Sequence, residues 1–405
     1  MTVKEKLEKY NQTHLLAFEN ELTLIQRASL YKQIEELDFS YLEHLNKTTT
    51  EQQTTISPIK PLTISEIATN HQTFEDIGLT ALENEEIGIL LLAGGMGTRL
   101  GSENPKGCFN IGKTKPIYIF QRLFENTLKV VEQCGKFIPF FIMTSDKNHE
   151  ETINFLTEHN FFGYNPNYVV FFKQDMAPCV DLNGKILLES KNRIATSPNG
   201  NGGWFNSLLK SEKAKQMLEH FNLKWLNIFA VDNVLQQIAD PVFIGATLSG
   251  NYDIGAKAIR KADPYEKIGV LCNKNGRTSI VEYIDLTDDM AHAKNEKGEY
   301  LYNFGVILNY LFSVDLLYEI KDKQLPVHVV TKKVEHINEQ GELIKPQVPN
   351  AHKFEMLCVD MIEFSHNCLP YEVTREKEFA PIKNLTGIDS VESAQSLLEK
   401  NGYEL

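Results

Sequence analysis

Apolar and polar positions divide the chain into a helical opening and a long alternation of apolar runs with amphipathic stretches. Leu15, Phe18, Leu22 and Ile25 recur at 3-4-3 spacing, and Leu30, Ile34 and Leu37 repeat it with charges between, so residues 1 to about 46 are expected to be helical. Residues 47–60 lack any period, are rich in Thr and Gln and end near proline, which predicts a linker or surface loop. From Ile87 to Ala93 the chain is apolar without polar alternation, the pattern of a parallel strand covered on both faces. Phe137–Met143, Tyr168–Phe172 and Trp225–Val231 read as further strands, the last running into Asp232, and residues 149–159 read as helix. Asp240-Pro241 has the N-cap and first-turn chemistry of a helix start, and Asn275-Gly276 between two short apolar runs is a hairpin signal. Alternating strands and helices of this kind predict a doubly wound, mostly parallel sheet in an α/β fold, with some antiparallel additions.

Composition narrows the function classes. A chain of 405 residues with a formal charge of −13 repels nucleic acid and anionic membranes, so any polyphosphate ligand must be met by local cations and bound metal. Six cysteines without a C-x-x-C pair, in a chain long enough to bury its own core, predict reduced thiols. The N-terminus has no apolar stretch of signal-peptide type, and a cytoplasmic location is the expectation.

Chemistry gathers at the end of the first apolar strand. Gly94, Gly95 and Gly97 follow it, and glycines there let the backbone approach phosphate oxygens closely; Arg99 adds a planar cation and Pro105-Lys106-Gly107 a second one. Residues 107–114 (GCFNIGKT) match the P-loop pattern, yet no strand precedes them and Lys115-Pro116 follows, so the match is read as coincidence. Asn199-Gly200-Asn201-Gly202-Gly203 is a second glycine-rich loop, either a mobile surface loop or a grip on a hydroxyl-rich ligand. Asp232, at the carboxyl end of an apolar strand, is either a turn cap or a hard oxygen ligand for Mg²⁺.

Taken in order, LLAGGMGTRLGSENPKG (91–107), FFIMTS (140–145), VVFFKQDMAP (169–178), SPNGNGGW (197–204), FAVDN (229–233), ADPVFIG (239–245), IVEY (280–283), LYNFG (301–305), residues 343–360 and YEVTREKEFAPIKN (371–384) resemble the UDP-N-acetylhexosamine (UDP-GlcNAc) pyrophosphorylases of the UDP-sugar pyrophosphorylase superfamily. The resemblance implies a Rossmann-like catalytic domain over 76–335, a helical N-terminal region over 1–75 and a C-terminal region over 336–405 that contributes Lys383. It implies formation of UDP-N-acetylglucosamine and pyrophosphate from UTP and N-acetylglucosamine-1-phosphate, with Mg²⁺ as cofactor, in a monomer or homodimer. Carried over by position, Leu92, Ala93, Gly94, Gly95, Gly97 and Thr98 would hold the nucleotide with Arg99, Lys106 and Lys383 as catalytic cations. Gln174, Pro198 and Gly200 would recognise uracil, Asn201, Gly202, Glu282 and Asn303 the sugar, and Asp232 the metal. Met96, Lys173, Asp175, Trp204-Phe205 and Val306 depart from the family's usual residues; Trp204 and Val306, near the expected sugar contacts, leave the hexosamine open. The alternatives are another UDP-sugar pyrophosphorylase, such as one for UDP-GalNAc, and a nucleotide-sugar sensor without turnover.

Overall fold

The computed structural model describes residues 1–46 and 55–405. They form two compact units, each assembled from separate stretches of chain: the first joins the N-terminal residues to Gln174–Trp204 and Gln324–Cys358, the second joins residues 55–173 to Phe205–Lys323 and Val359–Leu405.

The second unit carries a mixed sheet of ten strands flanked by helices, the Rossmann-like α/β architecture the pattern predicts. Its centre is Ile87–Leu92, buried at every residue and lying parallel between Trp225–Ala230 and Phe140–Thr144, with Val169–Lys173 parallel outside the latter. Leu92 stands opposite both Ala230 and Met143, so the three strands release their chains at one level of the sheet. Beyond Trp225–Ala230 the sheet turns antiparallel through Phe304–Ser313, which also pairs with Ile254–Arg260. The hairpin forms as Val270–Lys274 against Arg277–Val281; Asn275 and Gly276 take φ of 52° and 82°, as a two-residue turn matched to strand twist requires.

Strand limits move by a few residues for identifiable reasons. The strand expected from Phe137 begins at Phe140, directly after Pro139, which has no N–H to give a ladder. Part of the expected linker, Ile56–Pro58, pairs antiparallel with Cys272–Lys274; residues 47–54 of it lie outside the described residues. The helix of residues 149–159 is present as His149–Glu158.

In the first unit the opening is not one helix. It breaks into Val3–Lys9, short 3₁₀ turns and Leu24–Glu36, because Thr23 caps a new helix in a reciprocal box with Gln26. Ile25 therefore lies outward at 83% exposure, whereas Leu15, Phe18, Leu30, Ile34 and Leu37 are buried. Lys6 closes the second helix by donating to the Ile34 and Leu37 carbonyls at 2.7 and 2.6 Å. These helices share a core with Ala177, Val180, Ile186, Ile194 and Phe354, so the segments 174–204 and 324–358 complete the N-terminal region. Of the expected region 1–75, the helix beginning at Ile64 belongs instead to the second unit.

All six cysteines are buried, and no disulfide forms among the described residues. Among the described residues no helix is long and apolar enough to cross a membrane.

The helix Ile64–Glu83 crosses Pro241–Ser249 at van der Waals contact through two glycines: a β-carbon at Gly78 would overlap the Pro241 carbonyl, and one at Gly245 the Phe74 carbonyl. Asp240 caps the second helix through the Val242 N–H at 3.0 Å, with Pro241 in its first turn. Overpacking such a contact costs about 1–3 kcal/mol. Gly245→Ala should therefore lower the thermal unfolding midpoint by several degrees; an unchanged midpoint would show that the two helices can separate freely.

Candidate active site

The glycine loop is built by its neighbours more than by itself. Ala93 donates to the Met143 carbonyl at 2.8 Å as the last rung of the sheet, and the chain then turns over Gly94–Gly97. Gly97 N–H reaches the Asn104 carbonyl at 2.9 Å and Lys106 N–H reaches Gly95 at 3.1 Å, which brings Lys106 back over the loop. Leu100 is buried beneath, while Gly95, Thr98 and Arg99 are exposed. From below, Asn148 donates its carboxamide to the carbonyls of Ala93 at 2.8 Å and Gly95 at 3.3 Å, and accepts from the Ser145 N–H at 2.8 Å. Asn148 occupies the N-cap position of the next helix without capping it. Its spacing after the second apolar strand reads as an ordinary cap, and only the fold reveals that its side chain serves the loop.

Asp232 leaves the neighbouring strand at the same level, with Val231 N–H on the Leu92 carbonyl at 3.3 Å. The Asp232 carbonyl accepts from Ile382 N–H at 2.9 Å, which sets Lys383 beside it. Burial pushes the Lys106 ammonium below the usual lysine range; the Asp232 carboxylate pulls it back up, and Arg99 and Lys383 push it down. Those opposing effects place three cations and one carboxylate within electrostatic reach of one another. Lys383 also pairs with Asp389 at 2.9 Å, whereas no ion pair joins Arg99 or Lys106 to a carboxylate among the described residues. The expected phosphate-side residues thus do meet in the second unit.

The P-loop look-alike is different. Lys113 pairs with Glu399 at 2.7 Å, the Thr114 hydroxyl donates to the Leu405 carbonyl at 2.5 Å, and the next helix starts only at Ile119. That lysine is a surface ion-pair partner.

In the first unit the second glycine loop is stitched down along its length. Asn199 accepts Met356 N–H at 2.7 Å, and Gly202 N–H donates to the Met356 carbonyl at 2.8 Å. Gly200, at φ 86°, passes so close to Met356 that a β-carbon would overlap its carbonyl. The Asn201 side-chain oxygen accepts Cys358 N–H at 2.9 Å, leaving its NH₂ as the available donor. Asn199 donates to the Tyr41 hydroxyl at 3.1 Å, and its buried carboxamide oxygen has no hydrogen-bond partner among the described residues. Pro198 is exposed between buried Ser197 and Asn199, and Gln174 is buried just before Asp175, whose carbonyl accepts Asn199 N–H at 3.2 Å. A mobile surface loop does not describe this segment.

Glu282 and Asn303 flank the strand that starts at Val270, which pairs with both Val281 and Gly305. The Asn303 oxygen accepts Lys261 N–H at 3.1 Å, so its NH₂ too is the group left to donate. Of the two departures, Val306 is half-buried on the Phe304–Ser313 strand. Trp204 is fully buried directly after that second glycine loop.

With this geometry in hand, similarity to known proteins is informative. The model of the UTP–glucose-1-phosphate uridylyltransferase family matches residues 34–403. The human UDP-N-acetylhexosamine pyrophosphorylase-like protein 1 is 33% identical over 411 residues, covering 96% of this chain and 81% of the relative. The UDP-N-acetylglucosamine pyrophosphorylase of Saccharomyces cerevisiae is 33% identical over 398 residues, covering 95% and 82%. Among solved structures, the uridine diphosphate N-acetylglucosamine pyrophosphorylase of Trypanosoma brucei superposes with a TM-score of 0.84 at 26% identity, covering 98% of this chain and 84% of that one. A glycine turn at a strand end, cations converging on it and a family match over nearly the whole chain agree: this chain is a nucleotidyltransferase of the UTP–glucose-1-phosphate uridylyltransferase family.

Proposed function

We propose that this protein transfers uridylate from UTP to N-acetylglucosamine-1-phosphate, releasing pyrophosphate. The observation that carries the reading is the grouping of Arg99, Lys106, Lys383 and Asp232 around the Gly94–Gly97 turn. Both reactants are anions, so charge neutralisation and alignment are the main demands on the protein. An oxygen of the sugar phosphate attacks the α-phosphorus of UTP, the bond to the β-phosphate oxygen breaks, and pyrophosphate leaves. A phosphate oxygen is already a competent nucleophile, so the step needs no general base. Arg99 and Lys106, which form no ion pair with a carboxylate among the described residues, are the cations available to the departing pyrophosphate. Lys383, shared with Asp389, would contact a phosphate of the sugar or the nucleotide.

Leu92 to Thr98 would line the nucleotide, and Gln174, Pro198 and Gly200 would read uracil. Asn201, Gly202, Glu282 and Asn303 would hold the sugar. With their oxygens engaged by Cys358 and Lys261 N–H groups, Asn201 and Asn303 offer donors suited to hydroxyl and acetamido oxygens. Three relatives named for N-acetylated hexosamine substrates support the acetamido sugar over glucose.

Asp232 is a half-buried carboxylate at a strand end, and no group of three or more His, Cys, Asp or Glu side chains suited to a metal exists among the described residues. A single carboxylate fits Mg²⁺, which draws its other ligands from phosphate oxygens and water. Bound there, Mg²⁺ would neutralise charge on the phosphate oxygens.

Purified protein given UTP, Mg²⁺ and N-acetylglucosamine-1-phosphate should release pyrophosphate, faster than with the glucose or N-acetylgalactosamine phosphates; release with none of them would overturn the proposal. Arg99→Ala and Lys106→Ala should each lower kcat on the order of 10²-fold, as for other lost charge-stabilising donors. Near wild-type turnover would remove the altered residue from the mechanism. Asp232→Ala should lose Mg²⁺-dependent turnover, and unchanged metal dependence would leave Asp232 a turn cap. Lys113→Ala should leave kcat unchanged; loss of turnover would restore the P-loop reading of residues 107–114.

A further inference from the structure

Asn233 is 1% exposed and lies next to Asp232, outside the set of residues expected to touch substrate. Its NH₂ donates to the Glu378 carbonyl at 2.7 Å, and its oxygen accepts Ala380 N–H at 2.9 Å. Around it, Ile382 N–H donates to the Asp232 carbonyl at 2.9 Å and Val234 N–H to the Ala380 carbonyl at 3.4 Å. The two segments joined this way carry different parts of the proposed machinery: Asp232 heads one, and Lys383 ends the other. They are distant in sequence and belong to no common strand or helix, so their spacing has to be fixed by contacts of this kind.

A second clamp closes the far ends of the same two segments. The segment from Asp232 ends on Asp240, and the segment that ends on Lys383 starts from Glu378. Lys257, fully buried on the Ile254–Arg260 strand, donates to Asp240 at 2.9 Å, to Glu378 at 2.7 Å and to the Gln237 carbonyl at 3.3 Å. A buried ammonium held by two carboxylates is a weak source of stability, because desolvation offsets most of the attraction. It does hold its partners at one separation. Gln236 braces the turn between the clamps, donating to the carbonyls of Ala230 at 2.7 Å and Asn233 at 2.9 Å.

We propose that Asn233 is a positioning residue that fixes the distance between Asp232 and Lys383, with the Lys257–Asp240–Glu378 triad as its anchor. The proposal rests on the uridylyltransferase reading above. Asn233 touches no substrate in it; it acts through Lys383, whose separation from Asp232 it sets. Two consequences separate this role from a general contribution to folding. First, removing Asn233 should affect the transition state more than ground-state binding, since alignment of the reacting phosphates is what degrades. Second, the loss should overlap with the loss of Lys383, because a lysine already absent cannot be misplaced.

The test is a double-mutant cycle of Asn233→Ala with Lys383→Ala, reading kcat for pyrophosphate release and, by calorimetry without turnover, the Kd for UTP. The expected results are a kcat reduced roughly tenfold to a hundredfold in Asn233→Ala, the range for misalignment of about an ångström, with the UTP Kd within about threefold of wild type. The double variant should turn over at about the rate of Lys383→Ala alone. Multiplying losses in the cycle, or an unchanged kcat in Asn233→Ala, would overturn the proposal. If Asn233→Ala does not unfold cooperatively, Asn233→Ser, which keeps one polar contact, is carried through the same cycle with the same two outcomes. A wild-type protein that releases no pyrophosphate overturns the uridylyltransferase reading instead, so the two failures are told apart.

Discussion

The parallel register of Ile87–Leu92 between Trp225–Ala230 and Phe140–Thr144 is the constraint on which the rest of the phosphate-side site depends. Leu92 faces Ala230 on one side and Met143 on the other. The glycine turn, the Asp232 turn and the Ser145–Asn148 turn therefore leave the sheet side by side. Shifting one strand by a single residue would swap its two faces. Ile87–Leu92 is buried on both, so a slip would not expose it but would put a bulky side chain where Gly88 lies close against Leu223 and Leu226, and packing specifies the register.

Preorganisation follows from that alignment. The candidate residues are held by buried polar groups: the glycine turn by Asn148, the Asp232 turn by Asn233 and Gln236, and Asn201 by the Cys358 backbone. Buried carboxamides suit the task because they donate and accept without carrying charge. Cations crowded around a phosphate site repel one another, and the downward push on Lys106 from Arg99 and Lys383 reports that repulsion. An anionic ligand would relieve it, so this cluster of cations favours an anion before any metal is considered.

What the sequence discloses and what it withholds separate along the range of the interactions involved. The unbroken apolar run before Gly94, the Asp240-Pro241 helix start and the Asn275-Gly276 turn are local signals, and the fold contains all three. Ile25 misleads because helical spacing alone cannot reveal that Thr23 starts a new helix and changes the buried face. Asn148 and Asn233 look like ordinary turn residues, since the partners that tie them to the site are 53 to 147 positions away. The assembly of the N-terminal helices with residues 174–204 and 324–358 is hidden for the same reason.

Whether the Gly94–Arg99 turn and Lys106 hold pyrophosphate is read in the reverse reaction, in which UDP-N-acetylglucosamine and pyrophosphate give UTP and N-acetylglucosamine-1-phosphate, by comparing the KM for pyrophosphate between wild type and Lys106→Ala. Loss of a charge-assisted contact should raise that KM about tenfold or more, with the KM for the nucleotide sugar changed far less. A wild-type pyrophosphate KM in Lys106→Ala, or an equal rise for both substrates, would show that this turn does not hold pyrophosphate.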